Sequence, residues 1–312
     1  MKKNKKVQKR FTGRGPIARK LIESAATQLK NKITHIQQWQ EGKFTAEQYQ
    51  KSIVSEKQLS DLDPLHALYM YAQNQLSVLI EQVGQFPSLE KLTAPYAHAV
   101  DEYLPSGPPS SPITKSYFTC WGAFDLSTQG AKKETLCTVA TDFCKFINAD
   151  NSYIDIFEKM QSSSMGIYKH LGQSGKFINL KELVTNKEIK VICPSGYNGR
   201  SGEIWLARIF PALFDHIDYS VVFTTPYVLG NQNQDDHQVE KNWLDFFERN
   251  MKNTKQKQSV ASYNEIMKYG LSTNYWNEYI FLAYKNFQPN VVFLEGMPDI
   301  KSSLPLHELA RD

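Results

Sequence analysis

The sequence predicts an α+β protein, mainly helical, with one small antiparallel sheet, a four-stranded meander or half-barrel over about residues 176–226. Three observations predict it. Apolar residues recur at three- and four-residue steps over most of the chain, the signature of amphipathic helices. Between Lys176 and Thr225 this period gives way to short alternating runs, rich in β-branched and aromatic residues and separated by turn residues. The composition, 41% hydrophobic and 22% charged in 312 residues, excludes a wholly disordered or fibrous chain and makes two domains the prior.

The elements follow in order. After Pro16, at a first helical position, Ile22, Ala25, Ala26, Leu29, Ile33 and Ile36 form one helix face that Gly42 ends. Thr45 and Gln48 resemble a capping box that starts a second helix. Asp63-Pro64 caps a third, with the stripe Leu65, Leu68, Tyr69, Ala72, Leu76, Leu79, Ile80 and Val83 closed by Gly84. A fourth covers about 88–102. Residues 105–112, PSGPPSSP, cannot sustain a helix or a central strand and read as a connector, with a polyproline ligand as the functional alternative. This divides the chain into a basic disordered tail (1–20), an N-terminal helical region (21–104), the connector, and a helical and β-module domain (113–312). Within the last, helices are expected over 114–126, 132–148 and 151–170. Strands are expected over 176–184, 188–193, 203–210 and 219–225. Further helices run from Asp235, over 260–270 and over 274–287, and a final strand at Asn290–Glu295 joins the sheet.

Charge is informative once divided. Residues 1–20 hold nine Lys or Arg and no acid, so a formal total of +4 leaves −5 for residues 21–312. Lys5, Lys6, Lys9 and Arg10 are candidate phosphate contacts, and nucleic acid or an acidic protein is the partner class such a tail suits. The structural alternative is a solvated terminus. No apolar run approaches the ~20 residues that span a bilayer. None follows the basic start, so a secretory signal is not expected. Cys120, Cys137, Cys144 and Cys193 form no metal-ligand or disulfide pattern, which points to a reducing, cytoplasmic compartment and to neither metal nor cofactor.

Motifs that carry chemistry fail on inspection. Gly172–Lys176 lacks the glycine and hydroxyl positions of a phosphate loop. Gly196, Gly199 and Gly202 have no helix after them and read as a turn, with a binding loop carrying Arg200 as the alternative. His98 and Glu102, one helical turn apart, lack a third metal ligand. A triad assembled from distant residues stays open, since triads are spatial.

Residues 178–211 read INLKELVTNKEIKVICPSGYNGRSGEIWLARIFP. Leu180, Glu182, Leu183, Thr185, Gly202, Glu203, Ala207, Arg208 and Pro211 carry a resemblance to a small β-module of uncharacterised bacterial proteins, with Asn186 in place of the usual turn glycine. Some of those proteins also bear a zinc-binding SEC-C motif, whose cysteine cluster is absent here. The resemblance implies a β-module and no activity. Arg208 reads as a structural ion pair, with a ligand contact as the alternative. Three functions follow as expectations: a non-catalytic binding protein using the tail and a module edge with Tyr197, Arg200 and Glu203; a hydrolase or transferase with a site near loop 195–203; and a protein-interaction scaffold.

Overall fold

The computed structural model describes residues 13–31, 56–104, 107–108, 110–129, 132–230, 235–254, 256 and 258–305. Lys5, Lys6, Lys9 and Arg10 and the expected helix at Thr45–Gln48 lie outside them. The helices are α1 (Pro16–Asn31), α2 (Glu56–Ser60), α3 (Pro64–Gly84), α4 (Glu90–Tyr103), α5 (Lys115–Cys120), α6 (Leu136–Phe146) and α7 (Asn151–Ser162). Strands β1 (Met165–Ser174), β2 (Phe177–Glu182), β3 (Glu188–Ile192), β4 (Ile204–Phe210), β5 (Ser220–Val222) and β6 (Tyr227–Leu229) follow. Then come α8 (Asp236–Asn250), α9 (Ser259–Tyr269), α10 (Tyr275–Ala283), β7 (Tyr284–Gln288) and β8 (Val291–Leu294).

The sheet corrects the expectation of one small four-stranded meander. Among the described residues it has eight strands in the order β1-β2-β3-β5-β4-β6-β8-β7, and β1 also pairs with β4, closing a five-stranded barrel. Strand β1 makes the closure. Its Met165–Lys169 run lies opposite Arg208–Ile204, and Tyr168–Ser174 lies opposite Glu182–Phe177. A bulge between His170 and Gly172 bends the strand between its two partners. Strand β3 runs parallel to β5, and β5 runs antiparallel to β4. This strand order is that of a five-stranded Greek-key barrel of the OB type. Strands β6, β8 and β7 extend the sheet from the edge of β4.

Two of the strands missing from the sequence reading were hidden in helical runs. The run Ile154, Phe157, Met160 continues past Ser162 in apparent phase, but SSSMG at 162–166 supports no helix, and α7 ends at Ser162. Beyond it Met165 and Ile167 face the helices, while Tyr168 turns into the barrel, a period of two. Likewise α10 stops at Ala283, and Tyr284–Gln288 pairs back on β8 around Pro289-Asn290. Where the signal was local it sufficed. Asp63 caps α3 by accepting from Leu65 N at 3.1 Å, and Pro64 takes the first turn. Asn186 takes φ +57° in the turn between β2 and β3.

The barrel is lined by Tyr168, Ile178, Leu180, Val191, Trp205, Ala207 and Val222. Its β1–β4–β6–β8 outer face packs on α5 and on α8, α9 and α10 through Trp243, Phe246, Tyr263, Ile266 and Ile280. A second core lies between α3, α6, α7 and the rim residues Ile192, Phe210, Val221 and Phe223. Helix α1 joins through Glu134, which is 4% exposed: its two carboxylate oxygens accept from Ile17 N and Ala18 N at 3.0 and 2.9 Å. This satisfies two of the amides that a helix start leaves orphaned. Arg14 is tied down beside it, its N–H donating to Asp142 and its guanidinium to Glu158.

Candidate functional site

The glycine-rich loop between β3 and β4 closes one end of the barrel. Its glycines are demanded by close approach. Gly199 (φ +65°) would bring a Cβ within 2.5 Å of the Trp205 ring, and Gly202 (φ +98°) within 2.5 Å of Asp236 Oδ2. His170 N donates to Glu203 O and Gly202 N to His170 O, so the loop's end is a rung of the β1–β4 ladder. Glu203, expected as a binding residue, turns inward and is 8% exposed. Tyr197 Oη lies 3.1 Å from both of its oxygens and donates to them, and Trp205 Nε1 donates to Oε2 at 3.0 Å. Burial, with Glu203 as neighbour, raises the Tyr197 pKa, so the phenol stays a donor.

Arg200 is not the free cation the sequence suggested. Its guanidinium grips Asp236 at the start of α8 bidentately, at 2.5 and 2.9 Å, and its Nε stands 3.6 Å from Glu203. Tyr197, Arg200, Glu203 and Asp236 meet Val228, Leu229, Gly230, Gln288 and Phe293 around a cleft of about 280 Å³. The fold thus brings together three of the expected site residues and adds Asp236, which the sequence marked only as part of a helix start.

Behind the cleft His170 is 1% exposed, packed against Trp205 with ring centroids 5.2 Å apart. Its Nε2 hydrogen-bonds Asn198 O at 2.9 Å, and its Nδ1 has no partner among the described residues. Burial holds its pKa below the ordinary value, so the ring is neutral and Nε2–H is the donor. Among the described residues no nucleophile engages it. Among the described residues no group of three or more His, Cys, Asp and Glu is gathered as metal ligands.

Arg208, the fourth expected residue of the module, is elsewhere. It is fully buried on the helix-facing side of β4. Its Nη2 pairs with Asp125 in the wide turn Trp121–Asp125, and its Nη1 donates to Ser163 O and Oγ at 3.0 and 2.9 Å. Lys268 of α9 completes the cluster, donating to Gln161 O and Ser163 O at 2.5 and 2.6 Å and standing 3.4 Å from Asp125. Burial pushes the Lys268 pKa down to about 8 and raises that of Asp125. The cluster joins β4, α9 and the α7–β1 corner, which is structural work.

A second surface lies on the outer side of β2 and β3. Phe177 and Tyr219 stand with ring centroids 5.2 Å apart. Lys190 Nζ lies 4.2 Å above the Phe177 ring, and Lys176 Nζ lies 5.3 and 5.6 Å from the two rings. Lys181 of β2 is on the same face by alternation, beside the β3 strand. Lys176 also pairs with Asp63, and Lys190 with Asp218. Neither Phe177, Tyr219 nor Lys190 was singled out from sequence as a site residue. Phe177 and Tyr219 are 42 residues apart, and only barrel closure, which places β5 beside β3, makes them neighbours.

Comparison of the chain with protein-family models, with curated proteins and with solved structures returned no match. Among the described residues no helix is long and apolar enough to cross a membrane.

Proposed function

We propose that the protein is a non-catalytic binding protein that holds a single-stranded nucleic acid along the β2–β3 face of the barrel. The supporting observation is the pair of Phe177 and Tyr219, their rings tilted 54° to each other, with Lys176 and Lys190 over them. Aromatic platforms interleaved with cations suit unpaired bases and their phosphates, because every base offers a π face. Barrels of this strand order bind oligonucleotides on the same face, though a shared architecture is an analogy and not a demonstration. The lysines already face acids. Lys190 pairs with the exposed Asp218, where exchanging a carboxylate for a phosphate oxygen costs little. Asp63 is mostly buried and held by Leu65 N and the Tyr219 hydroxyl, so it is the exposed Lys176 that turns to a phosphate. Lys5, Lys6, Lys9 and Arg10 add phosphate contacts in this reading, and an acidic protein is the alternative partner. The resemblance of residues 178–211 to the bacterial β-module implies a β-module and no activity. The free, buried thiols of Cys120, Cys137 and Cys144 suit a reducing, cytoplasmic compartment.

Anisotropy of a labelled oligothymidylate of about ten nucleotides tests the proposal. The dissociation constant is expected to rise steeply with salt. It is expected to weaken about tenfold or more in the Phe177→Ala/Tyr219→Ala double variant, and more modestly when residues 1–12 are removed. Undetectable binding at low salt, or binding that the double variant leaves unchanged, would overturn it.

A further inference from the structure

The cleft at the loop end of the barrel has a different chemistry. Its lining carries two carboxylates, Glu203 and Asp236, against one guanidinium, Arg200. The guanidinium is committed to Asp236 through two hydrogen bonds. Glu203 is under-supplied. A carboxylate accepts at about four positions, and the protein offers it two protons, the Tyr197 O–H shared between both oxygens and the Trp205 N–H. At 3.6 Å Arg200 Nε is too far to add a third. Gln288, exposed at the end of β7, also lines the cleft.

We propose that this cleft binds a small organic cation bearing a primary ammonium group. An ammonium carries three donors and no acceptor, the complement of a buried carboxylate with open lone pairs beside a second carboxylate. Charge-assisted bonds of this kind are the strong ones. Tyr197 and Phe293 give the walls aromatic surface, which favours a cation over an anion. Asp235 and Asp236 already complement the start of α8, so that helix end does not call for an anion. At about 280 Å³ the cleft takes a small molecule and not a polymer. The site therefore stands apart from the nucleic-acid face, with a ligand of opposite charge.

Titration calorimetry of the full chain with cadaverine at low salt tests it, with a 5-fluorotryptophan ¹⁹F spectrum as second readout, the Trp205 resonance being assigned through Trp205→Phe. Saturable binding is expected, accompanied by a shift of the Trp205 resonance. Affinity is expected to fall about tenfold or more in Asp236→Asn, a surface change that leaves the barrel intact, and further in Glu203→Gln where that variant folds. The proposal fails if cadaverine gives no saturable heat, if Asp236→Asn binds it equally well, if the Trp205 resonance stays still while others move, or if inorganic phosphate binds in its place.

Discussion

The two arginines of the β-module lie eight residues apart, Arg200 in the loop before β4 and Arg208 within the strand, and meet opposite fates. Arg208 is fully buried against Asp125, Ser163 and the helices. Arg200 is about half exposed and pairs with Asp236 at the rim of the cleft. Both make close ion pairs, yet only one is energetically critical. Removing one partner from a dry pair strands a charge, while solvent takes over at a wet one. A short ion-pair distance is therefore no measure of importance; the surroundings decide.

Three measurements sharpen that contrast. Asp125→Ala leaves Arg208 and Lys268 facing each other without their shared counter-ion. Chemical denaturation is expected to show a loss of about 3–5 kcal/mol; a loss below about 1 kcal/mol would erase the distinction.

The second uses pH. Lys268 titrates near 8 when folded, against its ordinary 10.5. Between these values the unfolded chain holds more protons, so raising the pH favours the folded state. Relative to a Lys268→Met variant, the wild type is expected to gain up to about 3 kcal/mol over that window. The buried tyrosines, whose raised pKa values act in the opposite direction, cancel in the comparison. A flat difference would show that the ammonium is better solvated than its place between Gln161 and Ser163 implies.

The smallest effect belongs to the rim. Asp236→Asn is expected to change stability by less than about 1 kcal/mol, and what it costs should shrink with added salt.

Local chemistry was legible in the sequence, and closure was not. The Asp63-Pro64 cap, the Leu65–Val83 stripe and the strands at β2, β3 and β4 were readable because each is fixed by residues a few positions apart. Strand β1 was lost because a helix runs into it with no glycine or proline between, and a ten-residue run with a bulge blurs the period of two. Losing β1 lost the barrel, since it pairs with both β2 and β4 and so closes the ring. The site followed the same rule. Tyr197, Arg200 and Glu203 sit within seven residues and were named together. Asp236 comes from a helix start that spacing alone could only describe as a cap, and Phe177 and Tyr219 meet through the parallel β3–β5 pairing. Glu134 carried no signal at all: a lone acid in a loop, it becomes a helix cap only when α1 docks on it.

That cap has a geometric corollary. With Ile17 and Ala18 clasped by Glu134 and Arg14 moored to Asp142, the chain before Gly13 has a fixed root. A peptide extends at most about 3.5 Å per residue, so the covalent chain keeps Arg10 within about 10 Å of Gly13 and Lys5 within about 30 Å. A nucleic acid held as proposed would have to come within that leash of the α1–α6 corner to meet them, and a crosslinker carried on either position would map the circle.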